Sequence, residues 1–170
     1  ERCHDWFAPS TGSPDYFNAC YEIGVSSVDI PSNNLGYQSA QEGEAYAGLM
    51  SYFNYEPPTS TIVYREYLSV KLQDTLMNGV VYYISFYVSL GDSSNFCTNE
   101  LGLSFSEHAI SQPDYSNIIV PFALQATDTT IFYHKDKWSL FRTTYVAQGV
   151  EQYLIIGNFF DNSGTSINSI

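Results

Sequence analysis

The sequence predicts an all-β protein, an antiparallel sandwich of two sheets, on three observations. From Ala45 onward apolar residues recur with period two, the spacing that sends alternate side chains to opposite faces of a strand. The apolar runs are short and separated by turn-forming pairs, Asn78-Gly79 and Gln148-Gly149 the plainest. No window combines the helical period with caps at its ends. A chain of 170 residues fits a single domain and can bury roughly two thirds of its unfolded surface, so it needs no metal or disulfide to have a core.

Residues 1–44 are loop-rich, holding Pro9, Gly12, Pro14, Pro31, Gly36 and Gly43 with Asn33-Asn34 between, and residues 45–161 carry the main strands. Ile62, Tyr64, Leu68, Val70 and Leu72 share one face of a strand; Val63, Arg65, Tyr67, Ser69 and Lys71 share the other. Tyr82, Ile84, Phe86, Val88 and Leu90 line one face of the next, with Tyr83, Ser85, Tyr87 and Ser89 opposite. Asn78-Gly79 between them predicts an antiparallel hairpin. Leu101, Leu103 and Phe105 alternate with small residues. The apolar run Ile118 to Leu124 is cut by Pro121, which argues for an edge position. Trp138 to Ala147 and Tyr153 to Phe160 are long strands turned by Gln148-Gly149. Leu68, Val70, Ile84, Phe86, Val88, Leu103 and Phe105 are expected in one core.

Aromatic residues make up 16% of the chain and charged residues 14%, against roughly 25% charged in an average domain. That excludes intrinsic disorder. Six Lys+Arg against 18 Asp+Glu give a formal net charge of -12, which disfavours nucleic acid and anionic bilayers as partners. No run approaches the roughly 18 apolar residues of a membrane span. Solubility resting on hydroxyls and amides, with Lys only at positions 71, 135 and 137, points to an extracellular or cell-surface setting. Of three cysteines, Cys3 and Cys20 flank a Pro- and Gly-rich loop. A bridge between them would stabilise by roughly 3 kcal/mol through loop closure; the alternative is two reduced, buried thiols. Cys97 is left over, and the absence of C-x-x-C argues against structural zinc.

Six stretches in order resemble a known family. They are Trp6 with Pro9-Ser10-Thr11-Gly12 and Pro14 to Cys20; Gly36-Tyr37-Gln38 with Gly43 to Gly48; Arg65 to Leu68; Phe86 to Leu90; Ala147 to Tyr153; and Ile156 to Asp161. Together they are similar to the galactose-binding-like jelly-roll modules of secreted and surface proteins of the Bacteroidota. The resemblance covers most of residues 6–161 and implies a jelly-roll sandwich, often one module of a longer protein. Such modules begin with an Asn-Pro-Ser-Phe-Glu-like strand and end with an aromatic-rich strand carrying Asp-Asp; this chain starts after the first and stops before the second. Related jelly rolls hold a structural calcium through those segments, so no residue here is assignable as a calcium ligand, and no other cofactor is implied.

Catalysis has little sequence support. Gly91-Asp92-Ser93 after an apolar strand is similar to one esterase nucleophile block, but the Asp-x-x-His partner is absent and a turn explains the stretch. His4, His108 and His134 lack metal-ligand spacing. Glu42, Glu44, Glu66 and Glu151 offer carboxylates for glycoside hydrolysis, yet Glu66 beside Arg65 reads more simply as part of a strand ion pair. A hydrolase is thus the third reading. Binding is the first: aromatic faces cover sugar rings while amides, carboxylates and guanidinium take the hydroxyls. If Ile62, Leu68, Ile84 and Phe86 face the core, then Arg65, Tyr67, Tyr83 and Tyr87 share the opposite face and form a platform for a neutral oligosaccharide, unless a second layer covers it. Loops around Tyr52, Tyr55, Asp92, Asn95 and Trp138 are the alternative site. The second reading is a structural or assembly subunit that accepts a neighbour's strand at an open sheet edge.

Overall fold

The computed structural model describes residues 4–20, 27–54, 63–127 and 132–170. Cys3, Tyr55 and Ile62, named above, lie outside these residues. The described residues form strands and no helix. In chain order the strands are β1 (Trp6–Phe7), β2 (Asp15–Asn18), β3 (Ser32–Asn33), β4 (Gly36–Tyr37), β5 (Ala45–Gly48), β6 (Phe53–Asn54), β7 (Val63–Tyr64), β8 (Leu68–Lys71), β9 (Val81–Val88), β10 (Phe96–Cys97), β11 (Leu101–Ser106), β12 (Ser139–Val146), β13 (Tyr153–Asn158) and β14 (Asn168–Ser169). One sheet is antiparallel in the order β1-β8-β13-β11. A second pairs β9 with β12, from Val81 opposite Val146 to Val88 opposite Ser139. The other strands form two-stranded sheets, β2-β5, β3-β4, β6-β7 and β10-β14.

Period-two patterning builds the core between the two main sheets. Along β9, Tyr82, Ile84, Phe86 and Val88 turn inward while Val81, Tyr83, Ser85 and Tyr87 stay exposed. Along β12, Phe141, Thr143 and Tyr145 are buried and their neighbours exposed. These side chains meet Leu103, Phe105, Leu154 and Ile156 of the wider sheet in one cluster. Phe86 stacks on Phe141 with centroids 4.4 Å apart, and Phe105 on Tyr145 at 4.8 Å, geometry that adds to the burial of the rings. The result is all-β and sandwich-like. Of the seven residues expected in this core, Ile84, Phe86, Val88, Leu103 and Phe105 are there.

A further layer lies on the outer face of the wider sheet. Tyr67, Ile155, Phe159 and Ile118 form a second buried cluster, with Ile110, Val120 and Ala123 packed on it. Tyr67 Oη donates to the Asn158 carbonyl at 2.5 Å and accepts from Ile118 N–H at 3.1 Å. Ser104 Oγ donates to the Phe122 carbonyl at 2.8 Å. This explains why β11 is buried on both faces. The run Ile118–Leu124 is therefore a covering segment and not an edge strand; Leu124 makes a single bridge to Leu103.

Three expectations change. The hairpin between the Leu68 and Tyr82 strands is not formed, because β8 and β9 lie in different sheets. Gly79 does adopt the left-handed backbone expected of Asn-Gly, φ +77°, but the nine residues from Leu72 to Val80 are too long for a two-residue hairpin turn. They arch from one sheet to the other, held by Leu72 N–H to the Gln152 carbonyl (2.8 Å) and Leu76 N–H to the Glu151 carbonyl (3.2 Å). The turn at Gln148-Gly149 likewise carries the chain from β12 in one sheet to β13 in the other. No disulfide joins described residues: Cys20 is a free, exposed thiol, Cys97 a free, buried one. Cys3, the partner expected for Cys20, lies outside the described residues.

Candidate functional site

At the end of the body away from the two arches lies a cavity of about 1110 Å³. Leu68 of β8, Ile156 of β13, Leu101 of β11, and Phe86 and Val88 of β9 line it from the main sheets; Leu35, Tyr37, Gln38, Tyr46, Tyr52, Asp92 and Trp138 line it from strands and loops around the opening. Small-molecule sites run from roughly 300 to 1000 Å³, so this cavity is at or above their upper end.

Local chemistry brings these loops together. Gly36 has φ +133°, and a β-carbon there would sit 2.3 Å from Asp92 Cβ, so only glycine allows the contact. Asp92 Oδ2 accepts Tyr37 N–H at 2.8 Å, and Ser93 N–H reaches the Leu35 carbonyl at 3.1 Å. Lys135 Nζ donates to the carbonyls of Asp92 (3.0 Å) and Ser94 (2.6 Å). Ser89 Oγ donates to Gln38 Oε1 at 2.8 Å. Trp138 Nε1 donates to the Ser39 carbonyl at 2.9 Å, and its ring meets Tyr46 edge-on with centroids 5.5 Å apart. Tyr46 is fixed in turn by stacking on Phe17 at 5.1 Å and by accepting from Asn33 Nδ2 at 2.8 Å. Burial comes first in raising the Tyr46 hydroxyl above its ordinary pKa, so it stays neutral.

Some polar groups around the cavity are left without partners among the described residues. Asp92 Oδ1, Tyr37 Oη and Tyr52 Oη make no hydrogen bond within the fold, and Ser51 Oγ, also in the lining, is buried and unpartnered. Tyr37 is 66% exposed. Glu66 is spent: it accepts from Ser13 N–H (3.0 Å), Tyr64 Oη (2.7 Å) and Met50 N–H (2.7 Å). Asp15, further along the lining, has its carboxyl raised above the usual range by burial first and then by the charge of Glu66.

The four-residue platform is not one surface. Adjacent sheets separate it: Arg65 and Tyr67 lie under the covering layer at 1% and 0% exposure, while Tyr83 and Tyr87 project from the outer face of β9. The cause is the missing hairpin, since two strands in different sheets cannot share a face. Of the four only Tyr87 reaches the cavity. Arg65 and Glu66 form no ion pair, because neighbouring residues on an extended chain point to opposite sides. Arg65 instead donates through Nη2 to Asn162 Oδ1 (3.0 Å) and Thr165 Oγ1 (3.4 Å) and lies 5.0 Å from the centre of the Tyr52 ring. Its Nε has no partner, and burial lowers its pKa. It floors a second recess, about 610 Å³, edged by Asp114, Tyr115, Asn117 and Asp161.

The alternative site fares differently. Tyr52, Asp92 and Trp138 converge on the cavity; Asn95 is exposed outside its lining, and Tyr55 lies outside the described residues. Sequence reasoning missed Tyr37, Gln38 and Tyr46. The available signal was Gly36, a glycine placed before two side chains able to bind. No group of three or more His, Cys, Asp or Glu among the described residues is placed to hold a metal ion, and no described helix is long and apolar enough to cross a membrane. No family model, no curated protein and no solved structure matches this chain.

Proposed function

We propose that this chain is a non-catalytic carbohydrate-binding module of a secreted or cell-surface protein, a jelly-roll-type sandwich whose loop end takes a neutral oligosaccharide. The observation that carries the reading is the cavity mouth. The aromatic rings of Tyr37, Tyr52 and Trp138 share its lining with Asp92 Oδ1 and with tyrosine hydroxyls that have no partner among the described residues. Sugars require that pairing of flat apolar faces with hydrogen-bonding edges. The formal charge of -12 favours a neutral glycan over a polyanionic one. A glycan array read with the intact chain, followed by titration of any hit, tests this. The expected dissociation constant is on the order of 0.1–1 mM. Tyr37→Ala should weaken a hit about tenfold without unfolding the protein. No hit among neutral glycans, or a hit indifferent to Tyr37 and Trp138, removes the assignment.

One observation favours assembly as a second reading. β9 pairs only with β12 among the described strands, and the chain carries no charge from Asn78 to Gly91. Natural edge strands are usually blunted by charge or proline. On the outer face beside this edge Tyr83 is 85% exposed, Val146 59% and Val81 49%. Sedimentation across a concentration series tests it, with self-association that Tyr83→Lys abolishes as the supporting result.

A further inference from the structure

The lining of the cavity differs between the part that the main sheets supply and the part that the loops supply. Its inner wall, meaning the side chains that the inward faces of the two main sheets supply together with Phe132, is Leu68, Phe86, Val88, Leu101, Phe132 and Ile156. None of these side chains carries a polar atom. The mouth is Tyr37, Gln38, Asp92 and Ser93. A sugar fits the mouth only. Pushed against the inner wall it would lose its hydrogen bonds to water and find no replacement on those six side chains, a loss that outweighs any ring contact. Water has the same difficulty: it occupies a cavity stably where several polar partners surround it. An apolar space of this size, left unfilled, removes contacts from every side chain around it. A ligand that fills both parts of this lining is therefore apolar at one end and polar at the other.

We infer that the ligand of this site is an amphipathic glycoside: a sugar held at the mouth by Tyr37, Asp92 and Trp138, with an alkyl or comparably apolar aglycone lying between the sheets against Phe86, Val88 and Ile156. This rests on the carbohydrate reading for the sugar half and on the inner wall alone for the apolar half. Trp138 gives a direct readout, because it is in the lining and the other tryptophan, Trp6, is paired with Val70 in the wide sheet.

Three probes separate the halves: methyl β-glucoside, octyl β-glucoside below its micelle concentration, and decanol. Titration is followed by tryptophan fluorescence and by calorimetry. The expected result is octyl glucoside binding at least 100-fold tighter than methyl glucoside, with decanol competing for it. Leu35→Asp, at a partly exposed position of the lining, should weaken octyl glucoside and decanol about tenfold and leave the melting temperature within a few degrees. Equal affinity for methyl and octyl glucosides overturns the apolar half and leaves the carbohydrate reading standing. Decanol binding with no gain from the sugar in octyl glucoside supports the apolar half and overturns the carbohydrate reading. No binding of octyl glucoside or decanol to the folded protein overturns the inference.

Discussion

At the arch end of the body the chain satisfies its own polar groups; at the cavity end it does not. Glu151 is 2% exposed, yet it accepts from Tyr145 Oη at 2.5 Å and from the N–H groups of Gln148, Gly149 and Val150 at 2.7, 2.9 and 3.0 Å. Burial alone would raise its pKa, but the tyrosine and the backbone donors outweigh burial and hold it at about 2. Asp92 at the other end spends one oxygen on Tyr37 N–H and keeps the other free beside a cavity of about 1110 Å³. Buried donors and acceptors closed on each other make a scaffold. Groups left open beside apolar walls make a place for something else. That contrast is the physical ground for proposing the binding site at the cavity end.

The largest expected effect is at the packed centre. Phe141 is fully buried and touches Phe86 and Phe132, so Phe141→Ala should cost roughly 3–5 kcal/mol in chemical denaturation. A loss below about 1 kcal/mol means the two sheets do not share this core. Leu68→Ala is the matching change at the cavity. Its side chain already faces open space, so it should cost only about 1 kcal/mol, and a loss as large as that of Phe141→Ala would show the cavity to be closed in solution.

Acid should weaken the arch end next. Glu151 has a folded pKa of about 2 against 4.5 for an unperturbed glutamate, so protons prefer the unfolded chain. Its contribution is present above about pH 4.5 and lost as pH falls toward 2, roughly 3 kcal/mol in all. Glu151→Gln should lower stability at pH 7 by a similar amount and flatten the acid limb of the curve between pH 5 and 2. An acid limb of unchanged slope in the variant would falsify the clamp.

Smaller effects test the cavity end. Asp92→Ala removes the acceptor for Tyr37 N–H and should cost about 1 kcal/mol of stability while weakening a bound neutral glycan about tenfold. Unchanged affinity would make Asp92 a loop brace only. Tyr83→Ser should change stability by less than about 0.5 kcal/mol and leave glycan affinity untouched, since the residue is 85% exposed on the outer face of β9. Altered affinity there would return the binding site to the sheet face.

The sequence by itself determined what depends on near neighbours. Period two settled the all-β class and which side of β9 turns inward, because side-chain alternation is a property of the strand alone. Turn residues were found where the chain does turn, at Asn78-Gly79 and Gln148-Gly149. Which strands these turns connect was not legible, because an arch between layers and a hairpin within one use the same residues and differ only in pairing partners far away in the chain. From that one ambiguity followed the misplaced platform. The covering of Arg65 and Tyr67 rests on Ile118, Phe159 and Asn162, some 50 to 100 residues away, and no local pattern announces such a contact. The loop reading had grouped Asp92 with Tyr52 and Trp138, but only the tertiary structure added Tyr37, because its place depends on Gly36 pressed against Asp92, and fixed the tryptophan through an N–H reaching the Ser39 carbonyl across 99 residues. Secondary structure is decided within a few residues; the geometry of a site is decided by contacts between residues far apart in the chain, of which the sequence shows the candidates but not the pairing.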